Sequence, residues 1–294
     1  MEITHTISKL KTLLSPLQKA KSKIALVPTM GALHKGHLSL IKIAQKRADI
    51  VVCSIFVNPT QFTDPKDLEK YPRPLSHDIK MLEEAGCNAV FMPTVKEMYP
   101  FFPTPENWHI DLGHAELLLE GEFRKGHYQG VTQIVKKLFD AVKPDIAFFG
   151  QKDFQQVLMI KNMVKHFNLT IEIVSCPIIR EADGLAMSSR NINLSKTDRE
   201  NALILSQALR YVNANFSKVN LPKLLEKAKS MIKEISGVEL DYFTIVNGIT
   251  LLPITDIKDK NAVALVAAKV GETRLIDNML LIPTKSLSEE KIYL

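Results

Sequence analysis

Short, nearly continuous apolar runs recur along the first two thirds of the chain: residues 24–28 (IALVP), 50–57 (IVVCSIFV), 89–93 (AVFMP), 146–150 (IAFFG) and 170–176 (TIEIVSC). Runs of this length, bounded by turn-forming residues, read as strands covered on both faces. Between them, residues 38–48, 76–86, 130–142 and 155–167 carry apolar positions at helical spacing. Strand and helix alternating in this way predict an α/β fold, a doubly wound parallel sheet. After residue 193 the texture changes to lysine-rich helical stretches at 196–216 and 222–236, followed by strand-like runs at 240–246, 262–270 and 274–282. These predict a second, smaller α+β domain. The join is expected near Pro177, giving domains 1–177 and 178–294, and no internal repeat or low-complexity tract is visible.

Composition agrees with two folded domains. The chain has 294 residues, 46% hydrophobic and 24% charged, with 12 Gly and 15 Pro, which excludes disordered and collagen-like classes. The longest apolar run, 50–57, is far short of the ~20 residues that span a bilayer. The opening MEITHTISKLKTLL shows no small-residue cleavage site. The expectation is a cytoplasmic protein that does not engage membranes. Cys53, Cys87 and Cys176 are odd in number, widely spaced and set in apolar stretches, and are read as free, buried thiols. The net charge of +6 suits nucleic acid, a membrane surface or a small polyanion. No long basic run or aromatic-interleaved stripe favours nucleic acid, so a nucleoside triphosphate is at least as good a partner.

Parallel sheets bind ligands beyond the carboxyl ends of their strands, and unusual chemistry stands at those places. After the first predicted strand comes PTMGALHKGH, residues 28–37, running into a helix. A glycine-containing turn at a helix start offers backbone N–H groups and a positive dipole end to a phosphate. His34 and His37, flanking Gly36, could donate to phosphate oxygens, although two histidines near a helix start often do no more than cap it. No third ligand stands at metal-like spacing, so no metal site is expected. After the second strand, NPTQF places Asn58 and Gln61, whose amides suit a carboxylate, hydroxyl or bridging oxygen. After the fourth comes GQKDFQQ, residues 150–156: Lys152 as a compact cation, Asp153 as an acceptor for a ribose hydroxyl, and Gln155 or Gln156 toward substrate. Past the domain join, READGLAMSSRN carries Ser188, Ser189 and Arg190, donors fit to clasp outer phosphates. Glu120, Arg124 and His127 cluster in LEGEFRKGHYQGV without an evident mechanism. Each fragment taken alone is a polar turn; their recurrence at strand ends gives them weight.

The HxGH turn and the MSSR loop resemble the HIGH and KMSKS signatures of the adenylate-forming nucleotidyltransferase superfamily. PTMGALHKGH, FVNPTQF, YPRPLSHD, EGEFRKGHYQGV, FFGQKDFQQ and ADGLAMSSRN, in this order, resemble the pantothenate synthetases, the pantoate–β-alanine ligase family. The resemblance is dense over about residues 1–195 and thin afterwards. It implies a Rossmann-like ATP- and pantoate-binding domain and a C-terminal lid domain carrying the MSSR loop. The implied reaction joins pantoate to β-alanine with ATP, through a pantoyl adenylate, and releases AMP and pyrophosphate. The implied catalytic residues are His37, as proton donor, His34 and Lys152. ATP would be held by Met30, Gly31, His34, Gly36, His37, Gly150, Lys152, Asp153, Ile179, Met187, Ser188, Ser189 and Arg190. Pantoate would be held by Gln61 and Gln156, with Asn58 beside them and Gln61 also facing β-alanine. Magnesium would ride on ATP, and a homodimer is expected. Two positions depart from the family pattern: Gln151 stands where Glu is usual, and Lys125 where Pro is usual. Other readings are an adenylyltransferase that keeps AMP on its product, a basic nucleic-acid-binding protein and a non-catalytic interaction module.

Overall fold

The structure, a computed structural model, describes residues 1–281. The chain divides into two units, one comprising residues 1–150 and 155–176, the other 151–154 together with the chain from Pro177 onward.

The first unit is built on a parallel sheet of six strands: β1 (Glu2–Thr4), β2 (Ile24–Thr29), β3 (Ile50–Ile55), β4 (Ala89–Phe91), β5 (Ile146–Gly150) and β6 (Glu172–Cys176). Their order across the sheet is β1-β4-β3-β2-β5-β6, every pair parallel. This bears out the expected doubly wound sheet. The helices are α1 (Ile7–Lys19), α2 (Lys35–Gln45), α3 (Pro65–Lys70), α4 (Leu75–Glu84), α5 (Val95–Met98), α6 (Glu120–Phe123), α7 (His127–Val142) and α8 (Phe154–His166), the last of which begins in the second unit. Strands β2, β3 and β5 are buried nearly throughout because helices cover both faces of a parallel sheet, so their sequences are continuous Ile, Val and Ala runs. The strand order turns round between β2 and β5, and a crevice at such a switch point opens beyond the strands' carboxyl ends. Those ends are Thr29 and Gly150.

The sequence pattern missed β1 and α1. A three-residue edge strand shows no periodicity, and α1 is defined as much by its cap, in which Thr6 accepts the N–H of Lys9, as by its two fully buried leucines, Leu10 and Leu14. The helix expected from residue 38 starts three residues earlier, at Lys35, for a reason that belongs to the site. The three cysteines are free and buried in this unit. Burial pushes the Cys87 thiol up to about 11 and that of Cys176 to about 12, and raises Cys53 well above its ordinary range.

The second unit holds α9 (Lys196–Asn215), α10 (Leu221–Lys233) and an antiparallel sheet β7 (Val238–Asn247), β8 (Ala262–Val270) and β9 (Thr273–Leu280), in the order β7-β8-β9. Ser195 and Asn220 cap the two helices, and Leu205, Leu209, Ala228, Ile232, Phe243 and Val266 form the core between helices and sheet. The last residue of the expected strand 274–282, Ile282, lies outside the described residues. Among the described residues no helix is long and apolar enough to cross a membrane.

Ahead of α9, residues 179–187 fold back on themselves: the N–H of Met187 donates to the carbonyl of Ile179 at 2.9 Å and that of Glu181 to Leu185 at 2.8 Å. Arg199 of α9 clasps the hairpin through Glu181 at 2.7 Å and Asp183 at 2.8 Å. The Arg199 hydrogen bond, opposed by partial burial, holds the Glu181 carboxyl below its ordinary 4.5. Burial pushes Asp183 up, but the N–H of Leu185 and Arg199 outweigh it and leave its carboxyl below the ordinary 3.8. Depressed carboxylates stabilise the fold above their unfolded pKa, and that stabilisation fades as pH falls through the folded value. Both groups are about a third exposed, so each is worth about 1 kcal/mol or less. Arg199→Gln is therefore expected to lower Tm modestly at neutral pH and to flatten its fall between about pH 5 and pH 3. Thermal melts of both proteins across that range, showing parallel acid limbs, would refute the assignment.

Candidate active site

The turn after β2 is fixed from inside. Gly31 has φ +81°, and a Cβ there would stand 2.9 Å from Oδ2 of Asp78 and 3.1 Å from Ile55, so only glycine lets the turn close on α4. Asp78, buried on α4, accepts the N–H groups of Ala32 and Leu33, both at 2.8 Å. Thr29 Oγ1 donates to the carbonyl of Ser54 at 2.6 Å and accepts the N–H of Gly31 at 3.2 Å. The N–H of His34 donates to His37 Nδ1 at 3.3 Å, and that of Gly36 to His34 Nδ1 at 3.1 Å. This corrects the expectation that the turn presents backbone N–H groups to a phosphate: those of Gly31, Ala32, Leu33, His34 and Gly36 are satisfied within the protein.

The same bonds give the histidines their chemistry. A ring nitrogen that accepts an N–H carries no proton, so each neutral imidazole bears its hydrogen on Nε2. His34 and His37 form a reciprocal capping box at the start of α2, which is why the helix begins at Lys35, and their ring centroids lie 4.1 Å apart. Capping engages Nδ1 of each ring.

The segment after β3 forms a single 3-10 turn, Pro59–Gln61, set by Asn58. Asn58 is almost wholly buried; its Nδ2 donates to Gln61 Oε1 at 3.0 Å and to the carbonyl of Gly130 at 3.1 Å. Its Oδ1 accepts the Tyr99 hydroxyl at 2.8 Å and that of Thr60 at 3.2 Å. With both hydrogens and both lone pairs engaged, Asn58 has no capacity left for substrate, and its expected role as a substrate-binding residue becomes that of a support for Gln61. Gln61 is oriented at Oε1 by Asn58, and its Nε2 donates to the Met30 sulfur at 3.2 Å, with a second hydrogen on the same nitrogen. Burial holds the Tyr99 phenol well above its usual range, which keeps it a donor.

Two further polar groups brace this turn. His127, at the start of α7, bonds through Nδ1 to the carbonyl of Gln61 at 2.8 Å, and its Nε2 meets the Arg124 guanidinium at 3.3 Å. That contact accounts for two members of the cluster Glu120, Arg124 and His127. Gly130 lets α7 approach closely, because a Cβ there would collide with the backbone carbonyl of Thr60. Gln155, considered beside Gln156 for substrate, is spent: it accepts the N–H of Glu120 at 3.1 Å and donates to the carbonyls of Ala115 and Leu118 at 2.8 and 2.7 Å. Gln156, next along α8, is half-buried.

The remaining expected residues belong to the second unit, apart from Gly150 at the end of β5. Gln151–Asp153 is one 3-10 turn carrying Lys152, with Asp153 exposed. Ser188 Oγ accepts the N–H of Arg190 at 3.3 Å and caps a short turn, Ser189–Asn193, that continues from the Ile179–Met187 hairpin. Among the described residues no group of three or more His, Cys, Asp or Glu could hold a metal ion.

Imidazole and amide side chains stand beyond the carboxyl ends of the central strands of a parallel sheet, where sheets of this class bind their ligands. The family model described as Pantoate-beta-alanine ligase matches residues 2–280. The pantothenate synthetase of Bacteroides thetaiotaomicron is 46% identical over 95% of this chain and 98% of its own, and that of Rhodopirellula baltica 49% over 96% and 99%. A crystal structure of pantothenate synthetase from Thermus thermophilus superposes with a TM-score of 0.90 at 38% identity, covering 96% of this chain and all of that one. Pantoate–β-alanine ligase from Francisella tularensis, solved with β-γ ATP and β-alanine, gives 0.77 at 38% identity over 95% and 97%. The chain belongs to the pantoate–β-alanine ligase family. It is an enzyme that joins pantoate to β-alanine at the expense of ATP, yielding pantothenate, AMP and pyrophosphate.

The amide network gives a graded test. Tyr99→Phe removes one hydrogen bond to Asn58 and is expected to raise the pantoate KM up to roughly tenfold, with a stability loss of about 1 kcal/mol. Gly130→Ala displaces the whole turn and is expected to cost about 1–3 kcal/mol and a larger share of activity. Steady-state kinetics and thermal melts decide it; wild-type pantoate KM in both variants would remove the network from substrate binding.

Proposed function

We propose that the reaction proceeds through a pantoyl adenylate formed at the carboxyl ends of the central strands. A carboxylate is a poor acyl donor, because its leaving group would be oxide. ATP solves this when a pantoate carboxylate oxygen attacks the α-phosphorus and pyrophosphate leaves. The amine of β-alanine then attacks the acyl carbon, loses a proton and expels AMP. Both reactants of the first step are anions, so the chain must supply donors that hold them together and strengthen their hold as charge shifts toward pyrophosphate.

The observation that carries this reading is the pair of backbone N–H groups that Nδ1 of His37 and Nδ1 of His34 accept. With Nδ1 of each ring used as an acceptor, the hydrogen of a neutral ring stands on Nε2, and we assign both histidines to the ATP phosphates, with His37 as the principal donor. Lys152, Ser188, Ser189 and Arg190 serve the same phosphates, with Met30, Gly31, Gly36, Gly150, Asp153, Ile179 and Met187 bordering the nucleotide. Gln61 and Gln156 hold pantoate, and Gln61 its β-alanine side as well. Mg²⁺ arrives as part of the MgATP substrate and neutralises charge on its phosphates. The enzyme works as a cytoplasmic homodimer on these small molecules. Sequence similarity to the ligase solved with an ATP species and β-alanine supports the assignment of both ligands.

If adenylation comes first, labelled pyrophosphate will exchange into ATP with pantoate and Mg²⁺ present and β-alanine absent. His37→Ala is expected to lower that exchange about 10²-fold or more while the protein stays folded. Exchange that requires β-alanine would overturn the two-step order, and full exchange in folded His37→Ala would remove His37 from the chemistry.

A further inference from the structure

We infer that Asp277 and Asn278, consecutive residues of β9, are positioning residues that hold as one element the Lys152 turn and the Ile179–Met187 hairpin that leads to Ser188, Ser189 and Arg190. The inference deepens the assignment of Lys152 and Arg190 to the ATP phosphates and rests on it. Along β9 burial alternates as a half-covered strand should, with Thr273, Leu275 and Asp277 inside and Arg274 and Ile276 less so. Asn278 breaks the alternation: it is 1% exposed on the face where its neighbours are partly open. What covers it is the turn after β5. Asn278 Nδ2 donates to the carbonyls of Gln151 and Lys152, each at 3.0 Å, and its Oδ1 accepts Gln151 Nε2 at 3.0 Å. Phe154 follows onto Gly248, where a Cβ would stand 2.9 Å from its ring.

Asp277, buried on the other face, holds the second loop. Its carboxylate takes Arg180 in a two-pronged bond of 2.6 and 3.0 Å, and also accepts the N–H of Asn278 at 2.8 Å. Arg180 opens the hairpin that leads to Met187–Arg190, and its guanidinium also donates to the carbonyl of Gly184 at 3.2 Å. A bidentate guanidinium–carboxylate pair whose acid is buried resists both translation and rotation. Two adjacent backbone positions therefore fix the peptide carrying Lys152 and the root of the loop carrying Ser188, Ser189 and Arg190. Their spacing is set by one stretch of strand rather than by two separate loops. A phosphate chain needs its cations at fixed separation, and small displacements of such groups lose much of their effect.

The test is a double-mutant cycle read in pyrophosphate exchange and in KM. Asn278→Ala is expected to lower exchange at least about tenfold and to raise the ATP KM, with the pantoate KM within about twofold of wild type. In a Lys152→Ala background the same substitution is expected to cost less than about twofold, because the group it positions is gone. A purely structural role would lower Tm and shift both substrates alike, and would add in full to Lys152→Ala; either result overturns the inference. If Asn278→Ala does not fold, Asn278→Asp, of equal size but lacking both donated hydrogens, is measured the same way, with Arg180→Lys against Arg180→Gln as the conservative rescue on the Asp277 side. Full exchange in Lys152→Ala overturns the phosphate assignment itself, whereas damage in Lys152→Ala with none in either Asn278 variant overturns the positioning role alone.

Discussion

The carboxylate of Asp78, buried on α4 and bonded to the N–H groups of Ala32 and Leu33, is the constraint on which the first unit's chemistry depends. Hydrogen bonds to an ionised group contribute about 1.5–3 kcal/mol each, and a buried charge deprived of them costs more than that. The turn therefore cannot relax without exposing or stranding the acid. The carboxylate occupies the N–H groups of Ala32 and Leu33 and ties the turn to α4, just ahead of the His34–His37 cap of α2. The glycine requirement at position 31 reflects the close approach of Asp78, while the helix start and the histidine tautomers follow from the cap immediately after it.

Neutral amides do the corresponding work elsewhere. Asn58 orders the turn that carries Gln61, Gln155 ties residues 115–120 to α8, and Asn278 secures the turn that carries Lys152. Each uses its donors on backbone carbonyls or a neighbouring side-chain amide, so irregular chain can be buried without orphaned polar groups. A charged residue in these places would be buried without a counter-charge. An amide fixes position without adding charge.

Much of the architecture was legible in the sequence because a parallel sheet buried on both faces leaves uninterrupted apolar runs, and β2, β3 and β5 are such runs. β1 was not, since three edge residues with only Thr4 buried carry no pattern. Strand ends drew attention to the segments 28–37 and 58–62, which the structure places directly after β2 and β3. What the string could not decide was which of two neighbouring amides is spent on holding the fold. NPTQ does not distinguish Asn58 from Gln61, nor does QQ separate Gln155 from Gln156; each choice is made by partners far along the chain, such as Gly130, Tyr99 and Ala115. Asp78 was visible only as an acid in an amphipathic helix, and Asn278 as a polar residue near the end of a strand, more than a hundred residues from the turn it holds.

The burial of the thiols has a practical side. All three cysteines, on or beside β3, β4 and β6, lie in the first unit, and the second unit has none. A thiol raised to about 11 or 12 holds almost no thiolate at neutral pH, and thiolate is the form that reacts. Alkylation of the native chain must wait for the sheet to open around each sulfur. The rate at which each cysteine is modified thus becomes a clock for local opening of the first unit alone, read from the unmutated protein without an added probe.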